Sequence, residues 1–367
     1  MKTTYRFSKD SDAEFESVLK FRVNEYFRVN NVSKHGNGHL FLKTGVMFLL
    51  FLLPFIILLS GLATHVLLYF GMWALMGIGT AGLGLNVMHD AIHGAYSKNK
   101  HVNKLMGMVL NLIGGHTEIW RLQHNVLHHT FTNIDGGDED IFVTPILRFS
   151  PNQKLMGIHR FQHIYAWVLY GMMTMSKLVN DVLRAFRYRK MGLIKSKEEF
   201  SKVLTDMFIW KAGYLILMVL LPLVLLTTPW WWVPIGFFMM HFITGFLLSI
   251  VFQSAHVMPE CEFPLPDQEG HMDNNFVVHQ LSTTTNFATG NKVLSWLIGG
   301  LNFQVEHHLF PTICHVHYRK ISKIVAATAR EFDIQYNSQK TFLLALVNHG
   351  RMLASLGKME PELEPAG

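Results

Sequence analysis

Eight histidines in this chain stand at spacings that could gather metal ions. Seven lie in three clusters: His89-Asp90-Ala91-Ile92-His93, His124-Asn125-Val126-Leu127-His128-His129 and Gln304-Val305-Glu306-His307-His308. The eighth, His256, ends Gln253-Ser254-Ala255-His256. His89/His93 and His124/His128 are i, i+4 pairs, which share one face of a helix. Gln304 and His308 have the same spacing. One imidazole pair per turn can chelate one ion. The adjacent third histidine, His129 or the His307/His308 neighbour, projects at another angle and can reach a second ion. Two ions with about four or five nitrogen donors each would use all eight, with Gln304 completing the set directly or through water. The other histidines read as ordinary structural or interfacial residues.

The donor type narrows the metal. The chain has 21 histidines and only two cysteines, Cys261 and Cys314. That excludes a disulfide scaffold, a four-cysteine zinc module and a cysteine-ligated iron–sulfur cluster. Catalytic zinc takes three protein ligands and keeps one position open. Eight clustered imidazoles are too many for that, and no His-Glu-x-x-His occurs. The Glu-x-x-His signature of carboxylate-bridged di-iron bundles is also absent from the sequence. A histidine-rich site at a lipid boundary suits iron that activates oxygen, and copper fits the same donor type.

The elements that must position these residues are membrane helices. Half of the 367 residues are hydrophobic and only 16% are charged, against roughly 25% in soluble domains. Two stretches, Thr44–Ser97 and Ala212–Phe252, contain no Lys or Arg. A span needs about 20 residues, so the apolar runs 44–88 and 212–252 each fit two spans. Turns are expected at Ser60-Gly61 and at Thr227-Thr228-Pro229, the latter followed by an interfacial Trp230-Trp231-Trp232. All 32 basic residues fall outside these runs: 8 in 1–43, 16 in 98–211 and 8 in 253–367. With two hairpins these segments share one face, which the positive-inside rule makes cytoplasmic. The net charge of +6 then describes a surface facing anionic lipid and calls for no nucleic-acid partner.

The expected architecture is therefore all-α. Four transmembrane helices form two hairpins, and a cytoplasmic helical cap holds a di-iron site. Residues 1–43 form an N-terminal segment without a signal peptide, with an amphipathic helix over Phe15–Phe27. Residues 89–211 carry boxes 1 and 2, and 253–358 carry His256 and box 3. Phe161–Ser176 is apolar but short and reads as an interfacial helix. A fifth span there would strand box 3 across the bilayer. The tail 359–367 reads as disordered.

The boxes HDAIH, HNVLHH and QVEHH resemble those of the membrane fatty acid desaturases. So do the flanking runs Trp120–Asp140, Gln280–Phe287 and Gly299–Pro311. Gln304 in place of a histidine is similar to the front-end (Δ5/Δ6-like, linoleoyl-CoA type) and Δ8-sphingolipid branch. The resemblance spans roughly residues 40–330. It implies two Fe ions, O2 as co-substrate, and a cis double bond formed in a long-chain acyl substrate. The ligands carry over to His89, His93, His124, His128, His129, His256, His307 and His308, with Gln304 at the variant position. Many eukaryotic front-end members begin with a cytochrome b5 domain bearing His-Pro-Gly-Gly. Residues 1–42 lack that motif, so an external donor is expected, ferredoxin-like or cytochrome b5-like, with its reductase. A bacterial inner membrane is the expected location, with the site cytoplasmic.

Neighbouring residues suggest further roles. Asp138 and Asp140 are candidate orienters of the histidines. Thr283–Thr285, with Thr284 central, and Asn286 are candidates for the acyl path. Arg121, Arg148, Arg184 and Arg187 are candidates for a phosphate or headgroup. The competing readings are a hydroxylase of the same histidine-box type, a sphingolipid desaturase, and a His-rich metal transporter. A transporter would place ionisable ligands inside its spans, where only His65 and His241 are available.

Overall fold

The computed structural model describes residues 5–9, 11–142 and 145–360. Two compact units interleave along the sequence. One comprises 37–122 and 167–250, the other 1–36, 123–166 and 251–367. The chain is mostly helical. Among the described residues it departs from the all-α expectation in two short parallel strand pairs, Arg6–Phe7 with His271–Met272 and Thr285–Phe287 with Asn337–Gln339.

Four helices are long and apolar enough to cross a membrane: Gly38–Leu59, Val66–Ile92, Lys197–Leu225 and Trp232–His256. Each exceeds the roughly 20 residues a bilayer requires. The first starts on the cap Asn37, whose side chain accepts from His39 N and Leu40 N. It ends at Ser60, and Gly61 follows at φ 72°, a conformation that suits glycine. The third helix begins at Lys197, well before the apolar run. Ser196 caps it by accepting from Glu199 N, and Glu198 and Glu199 sit in its first turn. Capping and charge start this helix where apolarity alone does not.

Small residues let the spans approach closely. A Cβ on Gly79 would meet the Leu50 and Phe51 backbone at 2.7 Å, and one on Gly245 would meet Gly171 O at 2.6 Å. Several polar groups inside the spans have local partners, which offsets the cost of burial in apolar surroundings. His241 lies 2.8 Å from Tyr214 Oη and 3.1 Å from Thr174 Oγ1. Lys211 pairs with Asp181 at 2.9 Å. His65 caps the second span, accepting from Leu67 N at 3.3 Å. His65 and His241 are thus each engaged by structural bonds.

The apolar segment from Phe161 breaks into Gln162–Gly171 and Met173–Met191. Ten helical residues rise about 15 Å, half the hydrocarbon thickness, so the first piece does not cross.

In the other unit, helix Ala13–Val29 buries Phe15, Leu19, Val23 and Phe27 against Tyr318, Ile321, Val325 and Ala329 of helix Tyr318–Glu331. Full burial of such side chains contributes about 1.5–3 kcal/mol each. This core also takes in Phe303 and Val305. It thereby holds helix Gln304–Leu309, whose six residues are too few for stability alone. Arg148 is buried here. Its guanidinium donates to the carbonyls of Pro151, Gln153, Leu356 and Met359. That ties the loop after box 2 to the end of helix Phe342–Leu356, and it removes Arg148 as a headgroup ligand. Arg121 is paired with Glu118 at 2.6 Å. Most of the tail expected to be disordered, 361–367, lies outside the described residues.

Candidate metal centre

Six of the eight histidines converge within one unit. Box 2 follows helix Thr117–Arg121, which passes directly into a π-helical turn, Leu122–His128. In an α-helix His124 and His128 would share a face and His129 would turn away. The i→i+5 closure of a π turn brings the fifth residue back toward the first. The His124 ring lies 5.3 Å from His128 and 4.7 Å from His129, centroid to centroid. From box 3, His307 lies 4.5 Å and His308 4.3 Å from His129. His256, the last residue of its long helix, lies 4.7 Å from both His128 and His308. The donor atoms of His128, His256 and His308 all lie within 4.8 Å of one another, as do those of His129, His307 and His308.

These nitrogens suit a cation. His256 Nε2 and His308 Nε2 are buried with no partner among the described residues, a costly state for a polar atom. The Nε2 atoms of His124 and His129 face each other at 3.2 Å. Two lone pairs at that separation need a proton or a metal between them.

The far nitrogen of several rings is fixed by a specific partner, which sets the tautomer and the aim of the ring. His128 Nδ1 lies 3.0 Å from Asp138 Oδ1, and His308 Nδ1 2.8 Å from Gln280 Oε1. His256 Nδ1 lies 3.3 Å from Thr283 O, and His307 Nδ1 3.1 Å from Tyr318 Oη. Asp138 is itself held, accepting from Asn133 N at 2.9 Å and Asp140 N at 2.8 Å. Asp140 Oδ2 lies 3.5 Å from His124 Nδ1. Burial pushes the His128 imidazole down, but the charges of Asp138 and Asp140 outweigh it and bring it up to about 9. Burial, reinforced by the neighbouring imidazoles, drives His308 well below the ordinary range.

Box 3 has a separate brace. Glu306 is buried beside His307 and His308, and burial raises its carboxyl to about 7 against the bonds it receives. Asn286 Nδ2 donates to one oxygen at 2.9 Å and Tyr336 Oη to the other at 2.9 Å. Asn286 Oδ1 accepts from Val305 N at 2.9 Å, in the first turn of the box 3 helix. Both polar groups of Asn286 therefore hold box 3. Thr284 Oγ1 is buried and has no partner among the described residues. Gln304 is 1% exposed, with Nε2 likewise without a partner among the described residues.

His89 and His93 belong to the other unit. Their rings are 4.9 Å apart, just beyond a second π turn, Gly84–Met88. Sequence reasoning missed Asn133, Gln280 and Tyr318. Asn133 has φ 59°, and its Nδ2 lies 3.0 Å from both His256 O and Glu262 O. Gln280 and Tyr318 meet their histidines only through tertiary packing, so no local pattern marks them.

Fold and cluster together define a class: a multi-span membrane protein with a polyhistidine site able to hold metal. The chain belongs to the fatty acid desaturase family, whose model matches residues 64–340. It is an oxidoreductase of lipid metabolism, as the resemblance of its three boxes implied. It is 35% identical to the sn-1 linoleoyl-lipid 6-desaturase of Synechocystis sp., over 98% of this chain and 99% of that protein. It is 32% identical to the protein of the same name from Arthrospira platensis, over 94% and 93%. To the acyl-lipid (8-3)-desaturase of Physcomitrium patens it is 34% identical, over 99% and 76%.

Proposed function

We propose that this desaturase is a di-iron, O2-dependent enzyme acting on an acyl chain carried by a glycerolipid, at the carboxyl side of an existing double bond. The convergence of six imidazoles, with the bare Nε2 atoms of His256 and His308 among them, carries the reading. His124, His128, His129, His256, His307 and His308 hold the irons. His89 and His93 complete the set, and Gln304 is a further donor, directly or through water. When bound, the iron pair supplies the power to activate oxygen and remove hydrogen atoms from unactivated carbon.

The protein's part is alignment. Asp138, Gln280, Thr283 O and Tyr318 each accept or meet the far nitrogen of one imidazole and keep its other nitrogen toward the metal. The reacting carbons offer no polar handle, so shape must hold them in an apolar channel. The buried Thr284 hydroxyl is a candidate for its one polar marker. The lipid carrier is supported by the names of the relatives, two of which specify an sn-1 linoleoyl group. Electrons come from an external ferredoxin-like or cytochrome b5-like carrier. The sequence has two cysteines, Cys261 and Cys314, both buried, too few to ligate an iron–sulfur cluster. The distribution of basic residues supports a cytoplasmic site, in a bacterial inner membrane.

The test is product analysis with deuterated sn-1 linoleoyl glycerolipid in reconstituted membranes, together with iron determination. A new cis double bond and about two irons per chain are expected. A hydroxylated product, or active protein without iron, would overturn the proposal.

A further inference from the structure

We propose that the exposed basic face of helix Tyr318–Glu331 is the landing surface for an acidic one-electron carrier, and that Tyr318 links this surface to the histidine cluster. The inference rests on the desaturase reading above, which requires electrons from outside these residues.

The helix has two faces. Tyr318, Ile321, Val325, Thr328 and Ala329 are buried. Lys320, Lys323, Ala327 and Arg330 are exposed, and they recur along the opposite side at helical spacing. The charge is densest at the N-terminal end. Arg319 lies over the Phe303 ring at 5.5 Å. Lys34 joins from another segment: its carbonyl accepts from Cys314 N at 2.8 Å, and its ammonium lies 5.8 Å from the Phe27 ring. Phe27 in turn packs edge-on against His317, at 5.2 Å, immediately before the helix. Among the described residues, Lys34, Arg319, Lys320 and Lys323 have no carboxylate partner. On the two packed helices, Glu25 pairs with Arg28 and Glu331 with Arg22.

These charges do nothing for the helix itself. A helix dipole disfavours cations in the first turn, yet Arg319 and Lys320 stand there with no acid among them. A local rule broken at the surface points to a partner. What lies beneath points to an electron carrier rather than a lipid headgroup. Tyr318, the first residue of this helix, meets His307 Nδ1 at 3.1 Å, and its nearest chain neighbour is Arg319. Asp138, Gln280 and Thr283 are as buried as Tyr318, but none of them stands on a helix with an exposed basic face. Only at Tyr318 does a surface built for an anionic protein reach a ligand imidazole within one residue.

Each landing delivers one electron. Two reduced carriers give two electrons and leave oxidised. The acyl chain gives two electrons and two protons as two C–H bonds break and the double bond forms. Two further protons come from water, and one O2 becomes two waters.

The experiment uses the full chain in nanodiscs and a labelled, acidic plant-type [2Fe–2S] ferredoxin as probe. Lys320→Glu with Lys323→Glu should raise its Kd about tenfold or more at low ionic strength and flatten the salt dependence. Lys320→Gln with Lys323→Gln should give a smaller change in the same direction and guards against misfolding. Tyr318→Phe should leave the Kd unchanged and slow stopped-flow electron entry from prereduced ferredoxin. Unsaturated product driven by a small neutral photoreductant should persist in both lysine variants. A wild-type Kd in both lysine variants would overturn the proposal. So would a variant whose only defect is a lower Tm in phosphatidylglycerol nanodiscs, which would assign the face to lipid. If wild-type protein makes no unsaturated product with either reductant, the desaturase reading fails, while the Kd still decides the docking surface.

Discussion

The imidazole cluster is braced differently on its two sides. His128 leans on the carboxylate of Asp138, with Asp140 close by, and these charges raise its imidazole to about 9. His308 lies 5.0 Å away, ring to ring. It leans on the neutral oxygen of Gln280 and sits far below the ordinary histidine range. His256 and His307, with a backbone carbonyl and a phenol, share the neutral side. Two donors of identical chemistry thus differ in basicity because of what stands behind them. On the proposed di-iron reading, an iron served mainly from the carboxylate side would be the better stabilised in its oxidised form.

This contrast can be broken or sharpened. The largest free-energy effect is expected at a control residue. His349 is buried and lies 2.9 Å from Val257 O, a neutral brace like those on the His308 side. Burial lowers it to about 4, against the carbonyl's pull. Its folded-state value is below the unfolded 6.5, so its stabilisation is complete above that pH and is lost as pH falls toward 4. The upper limit is about 3 kcal/mol. His349→Gln should flatten the acid limb of the thermal midpoint in detergent, and an unchanged slope would mean that burial with a neutral brace is not what decides basicity here. Next, Asp138→Asn should lower iron content and desaturation about 10- to 100-fold, since it also disturbs the acceptors for Asn133 N and Asp140 N. Unchanged iron would erase the asymmetry. Gln280→Leu should cost about tenfold, because Thr132 Oγ1 remains 3.3 Å from His308 Nδ1. Gln280→Glu puts a carboxylate on the neutral side, and spectroelectrochemistry should then show a lower reduction potential with iron retained. The smallest effect, about threefold or less in iron affinity, is expected for Asp140→Asn, a partly exposed carboxylate.

Much of this was legible in sequence because it is periodic. The i, i+4 histidines and the charge-free apolar runs declare helices and faces locally. Asp138 was visible because it lies ten residues from His128. Three kinds of feature were not visible. The π turns at Gly84–Met88 and Leu122–His128 are insertions in the helical ladder that apolar periodicity does not encode. The start of the third span at Lys197 is set by a serine cap, not by hydropathy. Gln280 and Tyr318 act across tertiary contacts. Asn286 was expected, with Thr283–Thr285, on the acyl path; its carboxamide is engaged by Val305 N, Glu306 and Tyr336.

The Asn133 carboxamide has a consequence for biosynthesis. It bonds the carbonyls of His256 and Glu262, 123 and 129 positions downstream. Chains emerge N-terminus first, so box 2 leaves the ribosome long before the residues that pin it. A nascent polypeptide halted ahead of position 256 carries three of the six converging histidines, with no knot to close around them. On the proposed di-iron reading, metal acquisition therefore belongs after translation, as one of the last events in maturation.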